Sequence, residues 1–217
     1  MGRGGISDMD GFELGTPALV CRWRLAHRRL PIENRHLRAL LARRVNDAPV
    51  TPELVAWAKQ HIEWNLDQGA AEHPDGVLML IVDERGRAAM TVGPFEPLRD
   101  ATLTGLVRRA DQALEEARRT GVSPETLWVA CDDELVWDPG EGCAPSGAAS
   151  LVEQLAHTLG MAVRRWDHLA DAMANGAIAY DEAFLVSDEH GVVVATDAAG
   201  DHGRRMSRGY QRLLDRA

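Results

Sequence analysis

The spacing of apolar residues predicts an α+β fold. Three observations predict it. Short apolar runs of strand length mix irregularly with segments of helical period. Two pairs of runs read as hairpins, turning at Asp83-Glu84-Arg85-Gly86 and at Asp188-Glu189-His190-Gly191. No regular strand–helix–strand alternation runs along the chain, so a doubly wound parallel sheet is not expected.

The elements follow in order. The first ~15 residues, rich in Gly and Asp, read as a frayed start. Leu19 to Leu25 alternates as a strand. After the break at Leu30-Pro31, Glu33 to Arg44 carries Leu37, Leu40, Leu41 and Val45 on one helical face, and Pro49 ends the element. Thr51-Pro52-Glu53 starts a second helix with a cap, a first-turn proline and a first-turn acid. Leu54, Trp57, Ala58, Ile62 and Leu66 continue it, and Gly69 stops it. Val77 to Val82 and Ala88 to Val92 form the first hairpin. Gly93 to Pro97 reads as a linker, which predicts subdomains 1–99 and 100–217.

In the second half, Ala101 to Thr120 is helical with Gly121 after its end. Strands at Leu127–Ala130 and Leu135–Trp137 flank Asp132-Asp133, and a Gly/Pro loop covers Asp138 to Gly147. A helix over Ala148–Leu159, a strand over Met161–Trp166 and a short helix over His168–Ala174 come next. The hairpin Ala183–Val186 and Val192–Thr196 precedes an amphipathic helix over Arg204–Arg216.

Composition bounds the function. The chain has 217 residues, 45% apolar and 26% charged, which is enough for a real core and too apolar for disorder. A net charge of −9 argues against nucleic acid or an anionic membrane as partner. No apolar run reaches the ~18 residues of a membrane span, and no apolar stretch follows Met1 to Gly5 as a signal peptide requires. Cys21, Cys131 and Cys143 are odd in number and form no CxxC pair, so reduced thiols in a cytoplasmic protein are expected. Of the 24 basic residues, 23 are Arg and one, Lys59, is Lys. Any chemistry that needs a lysine has that single candidate.

Other constellations are weaker. His36 reads as a structural hydrogen-bonding residue ahead of a ligand contact. Asp188, His190, Asp197, Asp201 and His202 are of metal-ligand types but match no ligand spacing, so no metal is expected. No G-x-S-x-G supports a serine hydrolase. Gly140-x-Gly142, then Ser146-Gly147 before a helix, has the ingredients of an anion site at a helix N-terminus, or of an ordinary connection. Trp57 and Trp64 fit a core or dimer face, and the Arg22–Arg29 and Arg35–Arg44 runs fit a solvated basic face by default, or the recognition of carboxylate or phosphate groups.

Several stretches resemble the class IV aminotransferases, the fold-type IV pyridoxal-phosphate family that includes aminodeoxychorismate lyase. Glu115 to Gly121 resembles a helix of its large domain. Leu155-Ala156-His157-Thr158-Leu159-Gly160-Met161-Ala162-Val163 resembles its ELAxxLGIxV step. Asp181 to Leu185 with Gly191 to Val194 resembles its DEVFLTGTAxGVxPV hairpin. Phe12-Glu13 and His36-Leu37-Arg38-Ala39-Leu40 resemble its FET…HLxRL opening. The resemblance implies a two-lobed fold with mixed sheets, a homodimer, and a cleft between the halves that holds pyridoxal phosphate on a lysine.

This sequence departs from the family at the cofactor positions. Where the lysine is expected the chain reads Asp100-Ala101-Thr102-Leu103-Thr104, and Lys59 lies in the other half. The phosphate-binding arginine falls at Ala39, beside Arg38 and Arg35. The helix-start anchor falls on Pro145-Ser146-Gly147-Ala148-Ala149, without the hydroxyl at Ala148. A threonine falls at Asp188, whose carboxylate ~4 Å from a phosphate would cost roughly 4 kcal/mol per unit charge. Asp138 is a counterpart for the acid that pairs with the pyridine nitrogen. The resemblance thus implies a class IV fold that has lost the lysine and phosphate anchors. No cofactor is expected, and a small-molecule ligand would sit against Arg38, Asp138, Ser146, Gly147 and Asp188. The alternatives are an active pyridoxal-phosphate aminotransferase or lyase on an amino acid or amino-deoxychorismate-like substrate, or a plain interaction domain.

Overall fold

The computed structural model describes residues 13–216. The frayed start up to Phe12 lies outside the described residues. The fold is α+β, as its mixed hairpins and helices predict.

In the first half, β1 (Pro17–Arg24), β4 (Val77–Asp83) and β5 (Ala88–Gly93) form an antiparallel sheet in the order β1-β4-β5. Helices α1 (Glu33–Leu41) and α2 (Pro52–Gln68) accompany it. Leu19, Trp23, Leu40, Ile62, Leu78 and Leu80 are buried together there. Thr51 caps α2 through its hydroxyl, which accepts from the Leu54 N–H at 3.3 Å.

The second half is built on a five-stranded sheet. Its strands are β6 (Glu125–Cys131), β7 (Glu134–Trp137), β8 (Ala162–Arg165), β9 (Glu182–Ser187) and β10 (Gly191–Val194), in the order β10-β9-β6-β7-β8. Only the β7–β8 pair is parallel. Two clusters pack on this sheet. One stacks Trp128 on Trp137 at 4.6 Å and adds Phe184 and α4 (Gly147–Thr158). The other packs Leu106 and Ala110 of α3 (Leu103–Thr120) against Leu127, Val129 and Leu185. Helices α5 (Leu169–Ala174) and α6 (Asp201–Leu214) complete the half.

Three elements differ from expectation. The helix expected to reach Arg44 ends at Leu41. The chain then reverses through two-residue strands, β2 (Arg44–Val45) and β3 (Ala48–Pro49), across Asn46 and Asp47 with φ of 50° and 64°. Paired left-handed residues make the tight hairpin turn that matches strand twist. Helix α6 begins at Asp201, three residues early, because the Glu182 carboxylate accepts from the His202 and Gly203 N–H groups at 2.9 and 2.8 Å. Trp64 is 58% exposed, so it packs no core within the chain. It continues a ring stack from half-buried Trp57 through His61.

Candidate functional site

The two halves meet at the β9–β10 turn. Here the Asp188 carbonyl accepts from the Arg24 N–H at the end of β1, at 3.0 Å. The Asp188 side chain turns inward to the start of α4, where Oδ1 accepts from the Ala148 N–H at 2.7 Å. His36 of α1 closes the group, with Nδ1 3.6 Å from the same oxygen. Asp188 and His36 are 3% and 1% exposed. His36 is held flat on Trp23, ring centroids 5.4 Å apart.

Local sequence explains the arrangement. Ser146 caps α4, its Oγ accepting from the Ala149 N–H at 3.2 Å, which leaves the Ala148 N–H pointing out of the helix end. Gly147 lets α1 approach, since a Cβ there would lie 2.4 Å from His36 Nδ1. Arg35 ties the same two helices together, donating to Ser150 Oγ at 3.1 Å and to Gln154.

A carboxylate so buried should be hard to ionise. Burial pushes the Asp188 carboxyl up, but the His36 imidazole, the Ala148 N–H and Arg43 outweigh it and hold it below its ordinary value. The N-terminal partial charge of α4 acts in the same direction.

Beside this group lies a cavity of about 220 Å³ between the halves. Arg22 of β1, Arg43, Arg109 and Glu116 of α3, Glu125 and Asp188 line it. Arg109 grips Glu125 with two hydrogen bonds of 2.8 and 2.7 Å. Arg43 is buried and donates to the Val122 carbonyl at 3.3 Å and Glu116 at 3.5 Å. Burial pushes the Glu116 carboxyl up, against the pull of Arg43. A wider groove of about 670 Å³ shares Arg22, Arg109, Gln112 and Glu189 with this cavity and adds His190.

Of the expected site residues, the structure brings Ser146, Gly147 and Asp188 together. Arg38 is exposed and lines none of these spaces, because the helical phase of α1 turns His36 and Arg35 to α4 instead. Asp138 lines a separate cavity with Gly140 and Cys143. Its carboxylate accepts from the Gly140 N–H at 2.8 Å and the Leu169 N–H at 3.2 Å, tying the Gly/Pro loop to the start of α5. Lys59 is exposed on α2 and does not line the cleft. The sequence does not single out Arg109, Glu116 and Glu125, and it offers Arg22 and Arg43 only as members of the two Arg runs. The two Arg runs read as solvated faces, yet Arg43 is buried and the Arg24 guanidinium lies 3.3 Å over the Phe95 ring. No local pattern marks those two among their neighbours.

No protein-family model matches the chain, and no curated protein matches it. Solved structures do match in fold. A fold IV transaminase from Curtobacterium pusillum aligns with a TM-score of 0.62 at 14% identity, over 97% of this chain and 90% of that one. The 4-amino-4-deoxychorismate lyase of Pseudomonas aeruginosa aligns at 0.56 and 16%, over 91% of each chain. A hypothetical aminotransferase from Mycobacterium tuberculosis, in a PLP-bound form, aligns at 0.58 and 16%, over 98% of this chain and 95% of that one. The fold is therefore that of the class IV aminotransferases and aminodeoxychorismate lyases. No helix among the described residues is long and apolar enough to cross a membrane.

Proposed function

We propose that this chain uses the class IV fold without aldimine chemistry and binds a small polar molecule in the cleft between its halves. The observation that carries this reading is the Asp188 carboxylate seated on the Ala148 N–H at the start of α4. By the motif resemblance, that helix start is where the family anchors the cofactor's phosphate. A dianion brought beside a buried carboxylate meets repulsion that outweighs one helix end. A lysine able to form an imine is missing from the cleft, since Lys59 is exposed on α2. The residues present therefore do not fit pyridoxal phosphate, and no reaction step is derived through it. What the cleft offers is charged recognition, through Arg22 and the paired groups Arg43–Glu116 and Arg109–Glu125.

The reading extends to the whole chain as proposals. Residues 1–99 and 100–217 are treated as two subdomains, each with its own buried clusters. A homodimer is proposed from the fold's relatives and from the exposed ring of Trp64. A cytoplasmic setting is proposed from the free thiols of Cys21, Cys131 and Cys143.

The test is to mix the purified protein with near-equimolar pyridoxal phosphate, record the visible spectrum, and trap with borohydride. We expect no aldimine band and no pyridoxyl group fixed on Lys59. A stable band that disappears in Lys59→Arg would overturn the reading in favour of an active aminotransferase or lyase.

A further inference from the structure

Asp188 is bonded to three separate parts of the molecule. Its carbonyl receives β1, its N–H reaches the Pro124 carbonyl at 3.4 Å, and its carboxylate receives α4. Yet among the described residues the carboxylate takes only one hydrogen bond. Its neighbour His36 Nδ1 is buried at 3.6 Å, just beyond hydrogen-bond reach, and has no hydrogen-bond partner among the described residues. The pocket around the carboxylate thus holds an N–H at a helix start, a buried imidazole nitrogen left without a hydrogen bond, and the nearby cation of Arg43. Such a set of donors is a receptor for an oxyanion.

We propose that Asp188 is the built-in occupant of an oxyanion receptor formed by α4 and His36. It clasps the two halves of the molecule and denies the receptor to external anions. Removing the carboxylate should leave a vacancy that a small free oxyanion can refill. Glu116, on the far end of Arg43, is a neighbouring carboxylate that does not bond the Ala148 N–H, and two other nearby groups add no anion. The Cys21 thiol, pushed up to about 11 by burial, stays neutral, and burial also raises the Tyr210 hydroxyl.

The inference deepens the functional reading above by naming what fills the phosphate position, but it can fail on its own. Aldimine trapping at Lys59 would sink the functional reading and leave the experiment below unaffected.

The experiment compares wild type, Asp188→Ala and Asp188→Asn by thermal unfolding in chloride, formate and inorganic phosphate at matched ionic strength. Asp188→Ala should melt below wild type in chloride. Formate, and phosphate as the larger probe, should raise its midpoint by roughly 3 °C or more, with no such rise in wild type. Asp188→Asn keeps the acceptor for the Ala148 N–H and fills the space, so it should lose stability without rescue. If Asp188→Ala is unfolded in chloride, recovery of its folded signal in formate is the readout. A folded Asp188→Ala that ignores both anions overturns the proposal, as does an unfolded one that formate does not recover. An equal rise in wild type or in Asp188→Asn also overturns it, because the anions then act elsewhere.

Discussion

His190 shows how the cleft treats an ionisable side chain. It is 6% exposed beside Glu125 and Glu189, at 4.0 and 3.9 Å. Burial pushes its imidazole down from 6.5 to about 4, helped by Arg109, Arg24 and Arg22 and opposed by Glu125. The folded value is the lower one, so between those two pH values the unfolded chain binds a proton that the folded chain refuses. The stability contributed is present above the unfolded value and is lost as pH falls through this window. Urea unfolding at pH 7 and pH 5 should show wild type losing about 2 kcal/mol more than His190→Gln. Equal losses in the two proteins would mean that the imidazole is free to titrate.

Elements were legible where their signals are local. The Asp83–Gly86 turn, the Thr51 cap and the Gly121 stop all act within a few residues, and the elements they bound appear as expected. The start of α6 was not legible, because its cap comes from Glu182, about twenty residues away. Glu182→Ala would strand one buried and one part-buried N–H group and should cost about 2 kcal/mol. Hydrogen exchange should then show α6 losing protection before β6 does. The β9–β10 turn makes a second demand. Gly191 has a φ of 69°, and a Cβ there would lie 2.6 Å from the Tyr210 ring of α6. Gly191→Ala should therefore destabilise by roughly 2–4 kcal/mol in chemical unfolding. A near-neutral effect would contradict the packing of α6 on this turn. The short β2–β3 hairpin did carry a signal, Asn46-Asp47, hidden behind a helical pattern that runs on to Val45.

At the scale of the whole molecule, the fold and the meeting of Ser146, Gly147 and Asp188 were readable from short motifs. Ser146, Gly147 and Asp188 meet because a capped helix start and a hairpin turn are both local structures that the motifs encode. Arg38 and Asp138 do not join them, since helix phase and the capping of α5 decide their positions. Of the charged cleft, only the Arg runs that hold Arg22 and Arg43 were readable. The cleft arises only where β1, α3 and the β9–β10 turn converge, and no run of sequence contains more than a fragment of it. The proposal that unites these scales is that Asp188 occupies the oxyanion receptor at the start of α4. The most direct measurement is an electron-density map of crystals grown in phosphate together with pyridoxal phosphate. Asp188 Oδ1 should lie within hydrogen-bond distance of the Ala148 N–H, with no phosphate density at the start of α4. Asp188 swung away, with a phosphate group bound in its place, would contradict it.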